Sequence, residues 1–288
     1  MKRAKRFLTK LFVVWSIILC GSCAFTLAFC TNSNENVVYA YSKVVENPNV
    51  DEKMFIAAVK ADDKQTVKEM LGKGVDINAV YTIDGYVTTS LLAAINTKNR
   101  SMQQLLLENH ADVTGFTYRG MGNYVHHSYF VEAARCYDYE LMEYLLNWGA
   151  NVNEIDGEGK NALIASITTG SHEPYGHSED ETRQILERQF DFLISKGINV
   201  NFVQHTALGG KRTALIAVAD LKAFTGFDGI IYFSNNTRKV LIEKLLNAGA
   251  DPNYKDSAGK TAVEYVLDTY VGHPADLESA KLLRSYMK

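Results

Sequence analysis

The sequence predicts an all-α solenoid of about six helix-turn-helix units, and three features carry that expectation. One is a doubled phrase: GANVNEIDGEGKNAL, from Gly149, has a near copy in GADPNYKDSAGKTAV, from Gly249. A second is a run of five similar closings: MLGKGVDIN ending at Asn78, LLLENHADVT at Thr114, LLNWGANVN at Asn153, LISKGINVN at Asn201 and LLNAGADPN at Asn253. The third is a short apolar phrase after each closing: TSLLAAI from Thr89, SYFVEAA from Ser128, NALIASI from Asn161, TALIAVA from Thr213 and TAVEYVL from Thr261, with KMFIAAV from Lys53 opening the series. Self-similarity at a period of tens of residues marks stacked supersecondary units.

Each element follows from its chemistry. Thr, Ser or Asn at the head of the apolar phrase caps the free amides of a first helix, and the Ala residues behind it let neighbouring helices approach closely. The second helix places apolar residues at i, i+3 and i+4: Val67, Met70 and Leu71, or Leu141, Tyr144 and Leu145. Gly74, Gly149, Gly197 and Gly249 end it in the left-handed conformation. Asp156-Gly157 then supplies a tight reversal. No unit has enough core alone, so each must lean on its neighbours.

These residues resemble the ankyrin repeat, whose turn with Gly, T-P-L-H-x-A-A head and V-x-x-L-L-x-x-G-A-D-x-N closing are matched by DSAGKTAV, TALIAVA and KLLNAGADPN. The resemblance covers residues 51–288, in six units, the last lacking a full closing phrase. The head Pro is replaced throughout, by Met54, Ser90, Tyr129, Ala162, Ala214 or Ala262, and the head His by Ile56, Leu92, Val131, Ile164, Ile216 or Glu264. Against the family pattern, loss of that His implies helical hairpins with one hydrogen-bonded link fewer.

Successive closings lie 36, 39, 48 and 52 residues apart, against a family period of about 33. The excess in the fourth and fifth units falls between the two helices, in TTGSHEPYGHSEDETR (Thr168 to Arg183) and LKAFTGFDGIIYFSNNTR (Leu221 to Arg238). The second insertion carries Phe224, Phe227, Ile230, Ile231, Tyr232 and Phe233, which must either pack back on the solenoid or meet a partner. The turns VYTIDGYVT, ending at Thr88, and GFTYRGMGNYVHH, from Gly115, are rich in Tyr, Gly and Asn, a mixture suited to rigid aromatic contacts on an adaptable backbone. In the ankyrin family such turns project as fingers and form the usual partner surface. Tyr81, Tyr86, Phe116, Tyr118, Tyr124 and His126 are therefore the candidate contacts, with Phe227 and Tyr232 from the insertion. The alternative is that the Tyr rings only cover the edge of the stack.

Residues 1–40 read as a targeting segment. MKRAKR is a basic n-region, and Leu11 to Cys30 is a mostly apolar run that spans roughly 30 Å as a helix. Polar TNSNEN and Val38-Tyr39-Ala40 then suit signal peptidase cleavage after Ala40. A retained anchor at residues 11–30 and lipidation at Cys23 are the alternatives, and all three export the domain, to the periplasm or beyond. Residues 41–50 are read as a linker and 51–288 as the repeat domain.

Composition bounds the function. With 47% hydrophobic and 22% charged residues the chain is globular. Its net charge of -3 hides an asymmetry: setting aside residues 1–40, with five basic side chains and Glu35, leaves 25 basic and 32 acidic residues, or -7. Such a domain repels phosphate backbones, which argues against a nucleic-acid partner. Three of the four cysteines lie in the apolar run, so Cys136 has no internal disulfide partner and is read as a buried or half-buried structural thiol.

Catalytic patterns are poor. TGSHE at Thr169 lacks the spacing of a nucleophile elbow, and GGKRT at Gly209 lacks the leading Gly of a phosphate loop. His126-His127 and the His172, Glu173, His177 set lack the i, i+4 spacing of helical metal ligands. SEDE, from Ser178, reads as the solvated start of a helix. The sequence therefore points to a monomeric, non-enzymatic binder of another protein, acting as a scaffold, inhibitor or immunity-type factor, with no cofactor and no metal. The competing readings are a membrane-tethered form and a hydrolase with a pocket built from the two insertions.

Overall fold

Helical hairpins joined by short β-fingers make up the described residues. The computed structural model describes residues 42–120, 123–168, 178–205, 209–221, 234–268 and 274–288. The targeting segment, most of both insertions, Phe227 and Tyr232 lie outside the described residues. Among the described residues, six helix pairs follow one another: α1 (Val50–Lys60) with α2 (Lys64–Gly72), α3 (Ser90–Asn96) with α4 (Arg100–Glu108), α5 (Tyr129–Arg135) with α6 (Tyr139–Asn147), α7 (Ala162–Thr168) with α8 (Glu179–Ser195), α9 (Ala214–Ala219) with α10 (Asn235–Asn247), and α11 (Ala262–Asp268) with α12 (Pro274–Tyr286). A strand β1 (Val44–Val45) precedes them. Two-stranded fingers separate the first three pairs, β2 (Val80–Ile83) with β3 (Tyr86–Thr88), and β4 (Gly115–Gly120) with β5 (Asn123–Ser128). Later connections are smaller: a single bridge between Ile155 and Asn161, and β6 (Gln204–His205) with β7 (Lys211–Arg212).

Capping chemistry sets the ends of these helices. Thr89, Ser128, Asn161 and Thr213 accept the amides of Leu92, Val131, Ile164 and Ile216 at the heads of the first helices. The second helices α2, α4 and α6 start at Asp63, Asn99 and Asp138, which cap the amides of Thr66, Met102 and Leu141. Each of these caps follows a left-handed residue, Asp62, Lys98 or Tyr137, so one tight connection serves the first three pairs. Past the insertions, Ser178 and Glu181 form a capping box at the start of α8. Of the closing glycines, Gly74, Gly149, Gly197 and Gly249 have φ of 88°, 97°, 84° and 90°.

Asp156 and Asp256 explain the doubled phrase. Each folds its turn by accepting two backbone amides on Oδ1, from Glu158 and Lys160 at 2.9 Å in the first case, and from Ala258 and Lys260 in the second. The left-handed residue there is Gly159 or Gly259, at φ 70° and 75°, rather than Gly157. Gly157 is needed for space, because a Cβ on it would lie 2.9 Å from the carbonyl oxygen of His126.

Packing runs the length of the stack as one continuous core, with Phe55, Met102, Phe130, Leu163, Phe190, Leu215 and Leu245 among its most enclosed side chains. First helices form an inner row: α1 packs on α3, α5 on α7, α7 on α9 and α9 on α11, while packing between α3 and α5 is thinner. Closings are tied by asparagine rungs. Asn78 donates to the carbonyl of His110 and accepts the amide of Asp112. Asn153 accepts the amide of Asn199, and Asn201 donates to the carbonyl of Gly249 and accepts the amide of Asp251. Thr114 stands where the next rung belongs, and its hydroxyl turns back to Asp112 at 2.7 Å.

Later second helices are longer, 17 residues in α8 and 13 in α10 and α12, against nine in α2, α4 and α6. In α10 the buried Arg238 donates to the carbonyl of Leu221 at 3.0 Å and pairs with the buried Asp276 of α12, so a charge that is costly to bury is matched at both ends of the contact. One expectation is corrected. Cys136 is exposed at the C-cap of α5 rather than buried. Residues read as a linker contribute β1, which pairs parallel to β2 in the register Val44 to Val80 and Val45 to Tyr81.

Candidate partner-binding edge

The first finger turns at Asp84-Gly85, with φ of 52° and 80°, the double left-handed turn that matches strand twist. Tyr81 pairs with Thr88 and points inward: it is 0% exposed, and its hydroxyl donates to the carbonyl of Asp76 at 2.8 Å. Burial raises its phenol pKa well above the usual value. Tyr86, at the tip, is 78% exposed.

The second finger is longer and mostly turned inward at its base. Phe116 is buried, with its ring 5.1 Å from that of His127, 5.9 Å from Tyr118 and 6.0 Å from Tyr129. On the opposite face, Thr117 Oγ1 and His126 Nδ1 lie 3.0 Å apart. Burial, with the neighbouring His127, pushes the pKa of His126 down to about 4. Burial also lowers the pKa of His127. Tyr118 is half-buried against the core, while Val125 remains 36% exposed. Gly115 has to be glycine, because a Cβ there would sit 1.9 Å from the carbonyl oxygen of His127.

Polar groups seat this finger on the following turn. The amide of Gly157 donates to the carbonyl of His126 at 2.7 Å. Ser128 Oγ donates to Glu154 Oε2 at 2.8 Å, and the amide of Asn151 donates to Glu154 Oε1 at 3.0 Å. Burial pushes the carboxyl pKa of Glu154 up to about 7. Asp156 is raised too, by burial, despite an ion pair with Arg135 at 2.8 Å. Among the described residues no group of three or more His, Cys, Asp or Glu side chains is placed to hold a metal ion.

No family model and no curated protein matches this sequence. Solved structures do. An ankyrin repeat domain from Acinetobacter baumannii is 24% identical, with a TM-score of 0.52, and the match covers 81% of this chain and 96% of that one. A second ankyrin repeat protein is 20% identical, with a TM-score of 0.53, covering 83% of this chain and 100% of the other. The fold is that of ankyrin repeats.

On this ankyrin scaffold the eight candidate contacts divide. Tyr86 is a surface side chain. Tyr81, Phe116 and His126 are packed inside, which takes them off the outer surface of this fold: Tyr81 and Phe116 lie in the core, and His126 is buried beside Thr117. Tyr118 is shared between core and surface. Tyr124 lies on β5 opposite Arg119, and its side chain, with Phe227 and Tyr232, is outside the described residues. Sequence reasoning missed Val125, Glu154 and the strand Val44–Val45. The available signal for the strand was the pair of β-branched residues itself.

Proposed function

We propose that this ankyrin-repeat chain is a non-enzymatic module that binds another protein along its finger edge, working as a monomer by occlusion or scaffolding. One observation carries the reading: Tyr86, at 78% exposure, crowns a finger whose base is locked into the core. Large rigid rings on well-anchored turns are the groups that dominate protein interfaces. Val125 on the second finger, 36% exposed, extends the apolar rim.

We further propose that residues 1–40 export the domain, with cleavage near Ala40 releasing it to the periplasm or the exterior. The basic n-region, the apolar run and the small residues before the cleavage point support this. Among the described residues no helix is long and apolar enough to cross a membrane, so a membrane-tethered form would depend on residues 11–30.

The test is a paired substitution, Tyr86→Ala with Val125→Ser. Capture of the partner from host extract falls about tenfold or more, a change of about 1.4 kcal/mol, while unfolding free energy stays within about 0.5 kcal/mol, as for other surface changes. Undiminished capture by the folded variant would remove the finger edge from the interface.

A further inference from the structure

The place where the inner row is thinnest carries a change of head residue. Tyr129 heads α5 at the position held by Ser90, Ala162, Ala214 and Ala262 in other units. Its ring is buried, and its hydroxyl lies 2.5 Å from that of Thr89 at the head of α3. Beside this pair is a cavity of about 20 Å³, lined by Thr89, Tyr129, Phe116, Asn78, Asp112 and Ser42 among others, which is room for about one water.

Residues 42–45 touch both fingers, and Ser42 lines this cavity. Ser42 Oγ accepts the amide of Thr117 on the second finger at 3.3 Å. The carbonyl of Lys43 accepts the amide of Val80 on the first at 2.7 Å. Val44 and Val45 add only two residues of parallel ladder, and Val44 is 41% exposed. Such a strand is short, only Val45 of its two residues packs against the core, and the cavity beside Ser42 has room for a longer side chain or a water.

We propose that the cleft between the first two fingers is a strand-accepting slot for an extended segment of a protein partner, and that Ser42–Val45 is a resident occupant which that segment replaces. The inference rests on the protein-binding reading above and names the chemistry recognised. The incoming segment runs parallel to β2, offers a carbonyl to the amide of Val80, and carries β-branched residues where Val44 and Val45 sit, since strand addition takes its affinity from the main chain and its specificity from alternate side chains. At the position of Ser42 it carries an uncharged side chain with an oxygen acceptor, longer than serine, that takes the amide of Thr117 and fills the cavity. Asp112 in the lining disfavours a carboxylate there.

The test uses the full chain and labelled peptides spanning residues 41–47, with the parent sequence or with Ser42→Asn, followed by fluorescence anisotropy and by the amide signals of Val80 and Thr117. In the chain, Val45→Pro removes a backbone donor from the resident strand. The parent peptide then binds about tenfold tighter to this variant than to the unaltered chain, the Ser42→Asn peptide binds tighter still, and both target amides shift. A chain variant Ser42→Gly, which loses only the anchoring hydroxymethyl group, shows the same gain in smaller measure and keeps the test open if Val45→Pro unfolds. No gain in peptide binding to the folded variants would overturn the slot and leave residues 42–45 as a fixed strap. That outcome is distinct from failure of the binding reading, which the Tyr86 and Val125 substitutions decide separately.

Discussion

The seam between the second and third units and the seam between the fourth and fifth are written in the same phrases, yet they close differently. At the later seam Ala214 heads the inner helix, α7 packs on α9, Asn201 ties two closings with two hydrogen bonds, and Lys244 of α10 reaches Asp191 of α8 at 2.7 Å. At the earlier one Tyr129 replaces the small head residue and Thr114 replaces the rung asparagine. Among the contacts at that seam are the outer pair of Arg100 with Asp138 at 3.5 Å, the Arg100 guanidinium over the Tyr144 ring, the Thr89–Tyr129 hydroxyl contact, and Ser42, which accepts the amide of Thr117. One seam in a stack of related units thus differs from another at two positions, because each repeat touches only its neighbours and any interface can be weakened without altering the rest.

The largest effect expected at the closed seam is from Asn201→Ala. It removes a donor and an acceptor that join the fourth closing to the fifth, a loss of about 1–3 kcal/mol for two hydrogen bonds, read as a lower urea midpoint with a broadened transition. At the open seam, Thr114→Asn works the other way and is smaller. It supplies the missing rung and stabilises by up to about 1 kcal/mol, limited because Glu154 already takes the amide of Asn151.

Smaller again is the net pH response of the second finger, where the raised carboxyls of Glu154 and Asp156 oppose the lowered imidazoles of His126 and His127. Glu154, raised from 4.5 to about 7, is held protonated by the fold, so its contribution is undiminished below about pH 4.5 and is lost as pH rises through 7. His126, lowered from 6.5 to about 4, is held neutral, so stability falls as pH drops from 6.5 towards 4. The two slopes oppose each other between pH 4.5 and 6.5. Glu154→Gln removes the first, so urea midpoints measured from pH 4 to 8 then show a steeper loss on the acid side and a weaker decline towards pH 7. A midpoint that declines as steeply between pH 6.5 and 7.5 in this variant as in the unaltered chain would place the titrating group elsewhere.

Local chemistry made the units legible. Closing glycines, head caps and the Asx turns at Asp76, Asp112, Asn151, Asn199 and Asp251 are set by residues two to four positions apart, and the acidic start of α8 was readable for the same reason. The direction of each finger side chain was not. Tyr81 and Tyr86 sit in one hairpin with similar neighbours, but Tyr81 pairs with Thr88 over the core while Tyr86 stands at the tip. Which face is buried depends on what stacks beneath it, and that information lies in another unit. The strand at Val44–Val45 was hidden likewise, since its partner is β2, more than thirty residues away. Gly157 was read as a turn former and does lie in the reversal after Asp156, but the close approach of His126 from the preceding finger, which also demands glycine there, was not legible.

Native-state hydrogen exchange on the full chain tests the division of the stack most directly. The thinner packing of α3 on α5 and the missing rung at Thr114 predict that the slowest amides of α1 and α3 exchange through an opening at least about 1.4 kcal/mol lower in free energy than those of α7 and α9, a tenfold difference in protection. A single opening free energy shared by all four helices, or greater protection in α1 and α3, would contradict it.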